Sequence, residues 1–377
     1  MKLSMILVAA MLSLVLVSPS MAPVRAGGTA PLTITVGCCY VAAAYDEQKG
    51  EVFIANILLN SVSVISDSTD SVVATMPVES SPISMAYDPN TGEVFVADYL
   101  GNTVSVISDS TNTVIKTVPV GSEPYGVAYD SGMREVFVAN YQDNNVSVIS
   151  DVSNSVVATI SVGQGPGGVA YDSPKGEIFV ANGEGSVSVI SDASNSVAAT
   201  IPVGRGPYGV AYDGGAGEVF VANYQDNDLN VISDSSDSVT GTVLVGQGPL
   251  GIAYDNQAGE VFVANYFGNT VSVVSDSSNS VVATVSPIQS SPVGVAYDGG
   301  AREVFVANNG GNTVSMIPLG SGSQPPTSIS TTTPGSVSAI STEPVGVHST
   351  AFYWETAAAG VIAAVVFATI AWYRRTR

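Results

Sequence analysis

The sequence predicts an all-β protein: a seven-bladed β-propeller of four-stranded antiparallel blades, closed by its N-terminal strand and followed by a single C-terminal transmembrane helix. Three observations predict it. Ala-Tyr-Asp recurs with its tyrosine at Tyr45, Tyr87, Tyr129, Tyr171, Tyr212, Tyr254 and Tyr297, a spacing of 41 to 43 residues that marks a repeat architecture. Each period holds four runs rich in Val, Ile, Phe and Thr, separated by clusters of Gly, Asn, Asp, Ser and Pro, as strands and turns require. The run from Thr356 to Tyr373 carries no charge and ends in Arg374, Arg375 and Arg377.

Within a unit the first strand is Gly-Val-Ala-Tyr-Asp and the second Glu-Val-Phe-Val-Ala-Asn. The third is Thr-Val-Ser-Val-Ile-Ser-Asp and the fourth Val-Val-Ala-Thr-Ile-Pro-Val-Gly. The second strand is apolar on both faces, as at Val136, Phe137, Val138 and Ala139, which suits a sheet stacked between two neighbours. First, second and third strands occur seven times, but a fourth strand follows only the first six repeats. The missing copy is at the front, where residues 31–36 (Pro-Leu-Thr-Ile-Thr-Val) align with Thr117-Val118-Pro119-Val120. The N-terminal segment is therefore expected to supply the outer strand of the last blade and close the ring over residues 31–318.

These units resemble the YVTN-type seven-bladed β-propellers of archaeal surface-layer and other cell-surface proteins, with Val-Phe-Val-Ala-Asn standing where that family has its Tyr-Val-Thr-Asn tetrad. The resemblance covers residues 31–318. It implies a propeller and a surface role, and little more, because propellers host many activities.

The ends give the same address independently. Residues 1–26 read as a secretory signal peptide, with an apolar run behind Lys2 and a small-residue exit at Val24-Arg25-Ala26; an uncleaved anchor is the alternative, although about 15 apolar residues are too few to span hydrocarbon. Residues 356–373 are expected to span the membrane as one helix flanked by Phe352, Tyr353, Trp354, Trp372 and Tyr373. The basic residues of 374–377 then lie inside and the propeller outside, a single-pass type I topology. Between them, residues 319–355 form a stalk, with twelve Ser or Thr in the 23 positions from Gly320 to Thr342, a composition suited to O-glycosylation.

Composition narrows the chemistry. Only 11% of residues are charged, and the formal net charge is -21. Residues 27–355 hold 6 basic and 32 acidic residues, a balance of -26, so they repel nucleic acid. The one histidine, His348, falls in the stalk, which removes His-based triads, His-ligated metals and His-ligated haem. Cys38 and Cys39 are neighbours and offer no metal-ligand spacing; a vicinal disulfide, pairing between chains and two free thiols all remain open. No catalytic, cofactor-binding or metal-binding residue is assigned.

Several motifs have architectural readings. Gly163–Gly168, Gly204–Gly209 and Gly246–Gly251 match Gly-x-Gly-x-x-Gly, but a strand follows each where a dinucleotide site needs a helix. The aspartates of Ala-Tyr-Asp and of Ser-Asp (Asp67, Asp109, Asp151, Asp192, Asp234, Asp276) are expected in Asx-turns. Asp226-Asn227-Asp228-Leu229-Asn230 opens like a calcium loop but lacks its Gly and distal Glu, so it reads as a turn. Glu51, Glu93, Glu135, Glu177, Glu218, Glu260 and Glu303 open every second strand, and a sevenfold role is structural. Asn145-Val146-Ser147 is a possible N-glycosylation sequon at a strand start.

The blades differ in the turn after Ala-Asn. It carries Tyr99, Tyr141, Tyr224 and Tyr266 at one position, where the other blades have Ile57, Gly183 and Asn309, and Gln142 and Gln225 sit beside two of them. The geometry of the family puts these turns on one face with the blade-to-blade turns holding Tyr125, Tyr208 and Arg205. Aromatics interleaved with amides suggest a ring that binds an envelope glycan or a surface protein. The plainer alternative is that each tyrosine packs over its own blade edge. The expected function is non-enzymatic binding, adhesion or envelope structure at the cell surface. The rival is an exported propeller enzyme of lactonase or quinoprotein dehydrogenase type.

Overall fold

A computed structural model describes residues 32–35, 40–311 and 313–319. Residues 1–26, expected to be a signal peptide, Cys38 and Cys39, the Ser/Thr/Pro-rich segment from residue 320, the apolar run at 356–373 and the basic tail lie outside the described residues. No helix among the described residues is long and apolar enough to cross a membrane.

Twenty-eight strands form seven separate four-stranded sheets, each antiparallel, and each sheet touches the next in a closed ring. Six blades are contiguous in sequence, spanning residues 40–77, 82–119, 124–161, 166–202, 207–244 and 249–285. The seventh takes its first three strands from residues 292–318 and its outer strand from Leu32–Thr35. There Leu32 faces Met316, Thr33 faces Ser315, Ile34 faces Val314 and Thr35 faces Thr313. The segment expected to close the ring does so, and the edge of Thr313–Pro318 is covered.

The two-sided second strand explains the ring. Its Phe and Ala point into one blade interface while its two Val or Ile point into the other, so alternate side chains serve different neighbours. Phe137, Ala139, Val146 and Val148 of the third blade meet Ile178, Val180 and Ile190 of the fourth, all buried. Phe305, Met316 and Ile34 of the seventh meet Val52, Ile54 and Ile65 of the first. The core is thus seven interface clusters rather than one centre, and the seven Phe are its largest fully buried side chains.

The first strands line the axis, where neighbouring backbones crowd. A Cβ on Gly168 would overlap the carbonyl oxygen of Tyr208, and one on Gly209 that of Leu250, so glycine is the residue that lets the inner strands approach.

Polar side chains tie blade to blade at the end where Ala-Tyr-Asp lies. The aspartate of that motif accepts backbone N–H groups two and three residues on, as at Asp130 with Gly132 (2.7 Å) and Met133 (3.1 Å). These are the expected Asx-turns. Four of the Ser-Asp carboxylates, Asp109, Asp151, Asp234 and Asp276, do something different: they accept the tyrosine hydroxyl of their own blade, as in Tyr129 to Asp151 (3.0 Å) and Tyr254 to Asp276 (3.0 Å). The Asx-turn expectation is corrected for these four, because a long phenol reaches their carboxylates from the first strand. Three of the glutamates that open second strands accept an asparagine amide from the following blade: Glu93 from Asn154 (3.2 Å), Glu135 from Asn195 (3.5 Å) and Glu218 from Asn279 (3.3 Å).

Candidate functional site

At the opposite end, six of the seven second strands finish in a buried asparagine whose side-chain N–H groups fasten the turn. Asn140 donates to Asn145 Oδ1 (2.7 Å) and to Ser147 Oγ (2.9 Å). This places the sequon inside the sheet, with Ser147 buried and Asn145 already engaged. The backbone of the residue after the asparagine is then held by the turn that leads into its own blade. Tyr141 N–H donates to the Glu123 carbonyl (2.9 Å), and Tyr224 N–H to the Gly206 carbonyl (2.9 Å).

The tyrosine rings pack over the turn that leads out of their own blade. A Cβ on Gly165 would lie 3.1 Å from the Tyr141 ring, and one on Gly248 3.3 Å from the Tyr224 ring. Gly165 and Gly248 have φ of 63° and 66°, so glycine suits both the backbone and the ring above it. Tyr99 is held differently, its hydroxyl donating to Glu123 Oε2 at 2.9 Å. All of these rings are half-buried, with one side on the protein.

The structure brings the predicted aromatics into one arc. Tyr125 touches Tyr99, Tyr141 and Tyr208, with ring centroids 6.2, 6.3 and 5.9 Å away. Tyr208 continues to Tyr224 at 5.9 Å, Tyr224 to Phe267 at 5.6 Å, and Phe267 to Tyr266 at 5.1 Å. Edge-on and tilted contacts of this kind stabilise aromatic clusters. Tyr125 and Tyr208 belong to the third and fifth blades, and they meet across the fourth because Gly167 stands there without a side chain. Burial and neighbouring tyrosines push the Tyr208 phenol up to about 12, and burial raises those of Tyr99, Tyr125 and Tyr224 as well. The phenols therefore stay neutral across ordinary pH.

Gln142 and Gln225 stand exposed beside this arc, lining a notch with Tyr141 and Tyr208. Arg205 lies apart from any such role, its guanidinium gripped by Asp226 (2.7 Å from Nε) and its N–H donating to the same carboxylate (2.7 Å). That grip also accounts for the calcium-like segment. Asp226 is engaged by Arg205, which holds its carboxyl below the usual range, while Asp228 and Asn230 accept from Asn223 (2.8 and 2.9 Å). Among the described residues no group of three or more acidic, His or Cys side chains is placed to hold a metal.

Sequence reasoning missed Phe267 as the link between Tyr224 and Tyr266, and it missed the notch. The signal for the notch was present: the fourth repeat is one residue shorter and carries Gly167 and Gly183 where other blades have larger residues.

An axial cavity of about 200 Å³ is lined by Ala42, Met85, Val127, Val210, Ile252 and their neighbours in the first strands, and a wider opening of about 650 Å³ lies at the Ala-Tyr-Asp end beside Tyr45, Glu47, Tyr212 and Tyr254. Ser84 is the one hydroxyl-bearing side chain near the middle of the axial cavity, with Tyr125 and Tyr208 at one mouth.

No family model matches this chain, and no curated protein does. Solved structures that resemble it include a chain of Kuenenia stuttgartiensis hydrazine synthase, 18% identical, with a TM-score of 0.67, covering 74% of this chain and 95% of that one. The likeness is one of fold. It agrees with the seven-bladed ring.

Proposed function

We propose that this chain is a non-enzymatic, membrane-anchored cell-surface propeller of the YVTN type, which binds an envelope glycan through its aromatic face. Its work is then adhesion or envelope structure. The observation that carries the reading is the arc of seven rings, Tyr99, Tyr125, Tyr141, Tyr208, Tyr224, Phe267 and Tyr266, on one face of an otherwise repetitive molecule. Blade architecture does not demand those rings, since the equivalent turns at Ile57 and Asn309 do without them.

Sugar rings present apolar C–H faces to aromatic rings and hydroxyls to amides, and Gln142 and Gln225 stand at the edge of the arc. The small apolar lining of the axial cavity, with Ser84 for its hydroxyl, supports binding over catalysis, because acid–base work calls for titratable groups held near a substrate. Surface placement rests on the apolar segments at the two ends and on the resemblance of the repeats.

Replacing Tyr141 and Tyr224 together by Ala tests the reading. The double variant is expected to lose about tenfold or more in retention on isolated cell envelopes, with Tm within a few degrees of the parent. Equal retention of parent and variant, or none by the parent, would remove the proposal.

A further inference from the structure

From the second to the sixth blade the turn after the second strand lacks its tyrosine once, at the fourth blade. There the turn after the second strand is Gly183-Glu184-Gly185, three residues, where the third blade has Tyr141-Gln142-Asp143-Asn144. Gly185 takes a φ of 107°, a conformation that the shortened turn requires and glycine permits. Gly183 and Gly167 are different. A Cβ at Gly183 would have a single neighbour within 4 Å, the Gly165 carbonyl oxygen at 3.3 Å, and one at Gly167 would have nothing nearer than 3.8 Å. The backbone therefore demands glycine at neither position.

The absent side chains leave a notch of about 390 Å³, near the small end of the range for ligand pockets, roughly 300–1,000 Å³. Tyr141 and Tyr208 wall it, and Gln142, Gln164 and Gln225 bring three exposed amides to its rim. Glu184 brings the one charge, its Oε2 accepting the Gln164 backbone N–H at 2.7 Å.

We infer that this notch is a carbohydrate subsite, taking one neutral or amino-bearing hexopyranose unit of a longer chain. Ring faces flank the C–H surfaces of the sugar, and the amides, each with donors and an acceptor, meet its hydroxyls. Glu184 admits an ammonium and repels a uronate carboxylate, and the nearest guanidinium, that of Arg205, is already held by Asp226. A peptide side chain would leave most of those amides unmatched. The inference rests on the aromatic face being the binding face and adds where on it the ligand sits.

Titration calorimetry of the full-length protein in detergent micelles tests it with three probes: an N-acetylhexosamine tetramer, its deacetylated counterpart and a uronic acid tetramer. The first two are expected to bind and the third not. Gly183→Tyr, which restores the residue of four other blades, should fill the notch and weaken binding at least about tenfold without lowering Tm. Gln142→Ala with Gln225→Ala, both exposed, should weaken it as well. No binding by the parent, equal binding of the uronate, or parent-like binding by both variants overturns the subsite. If Gly183→Tyr keeps full retention on envelopes while Tyr141→Ala with Tyr224→Ala loses it, the subsite falls and the aromatic face stands.

Discussion

Asp98 departs from the repeat in a way that shows how tightly side-chain chemistry is set. Six blades end the second strand in Asn, whose amide donates to neighbouring hydroxyls; the second blade has Asp98, so the direction reverses. Ser105 and Thr103 donate to Asp98 Oδ2 at 2.8 and 3.1 Å, while Oδ1 is buried without a partner. Desolvation pushes its carboxyl up to about 7, against the smaller opposing effect of those hydroxyls. The folded state then holds a proton that the unfolded chain releases near pH 4, so stability declines as pH rises from about 4 to about 7. A rise of that size is equivalent to about 4 kcal/mol at most. Burial likewise raises the second-strand glutamates, for example Glu93, Glu135 and Glu260, and adds to the same trend. Melting curves are therefore expected to show a higher Tm at pH 5 than at pH 8. Asp98→Asn should raise Tm at pH 8 far more than at pH 4; an equal gain at both would contradict this account of Asp98. None of this is legible in sequence, where Asp98 reads as one more polar turn residue and its burial is invisible.

The second strand and the closing strand carry the element scale. The sequence shows both of them, because an apolar run with no polar face has only one home, between two sheets, and because the strand count leaves one vacancy in the last blade. Register confirms the closure through Ile34, which packs with Phe305 and Met316 against the first blade. Deleting residues 31–36 is expected to bare the edge of Thr313–Pro318 and open that cluster, so the shortened chain should aggregate or unfold in a broad transition. A deletion variant that melts as cooperatively as the parent would contradict the closed ring. The Ser-Asp carboxylates were harder to read. Their sequence context is that of a turn, and only the three-dimensional reach of the Ala-Tyr-Asp phenol reveals their partner.

At the scale of the molecule the repeats build two unlike faces. One carries Ala-Tyr-Asp, where every blade supplies the same tyrosine, and the phenols of Tyr87, Tyr129, Tyr212 and Tyr254 are spent on carboxylates of the ring itself. The other carries the turns after Ala-Asn, where blades differ, and there Tyr141, Tyr208 and Tyr224 gather with Phe267. Sevenfold repetition made the fold plain and also showed which positions escape it. It did not show that Tyr125 and Tyr208 meet across Gly167, because that contact joins residues two blades apart. The two tyrosine sets provide an internal control for the central claim that the variable face binds the envelope. Hydroxyl-radical footprinting of envelope-bound protein measures it directly. Protection is expected at Tyr141, Tyr208, Tyr224 and Phe267, with Tyr45, Tyr129, Tyr212 and Tyr254 reacting as in the unbound protein. Protection confined to the Ala-Tyr-Asp face, or at neither, would contradict it.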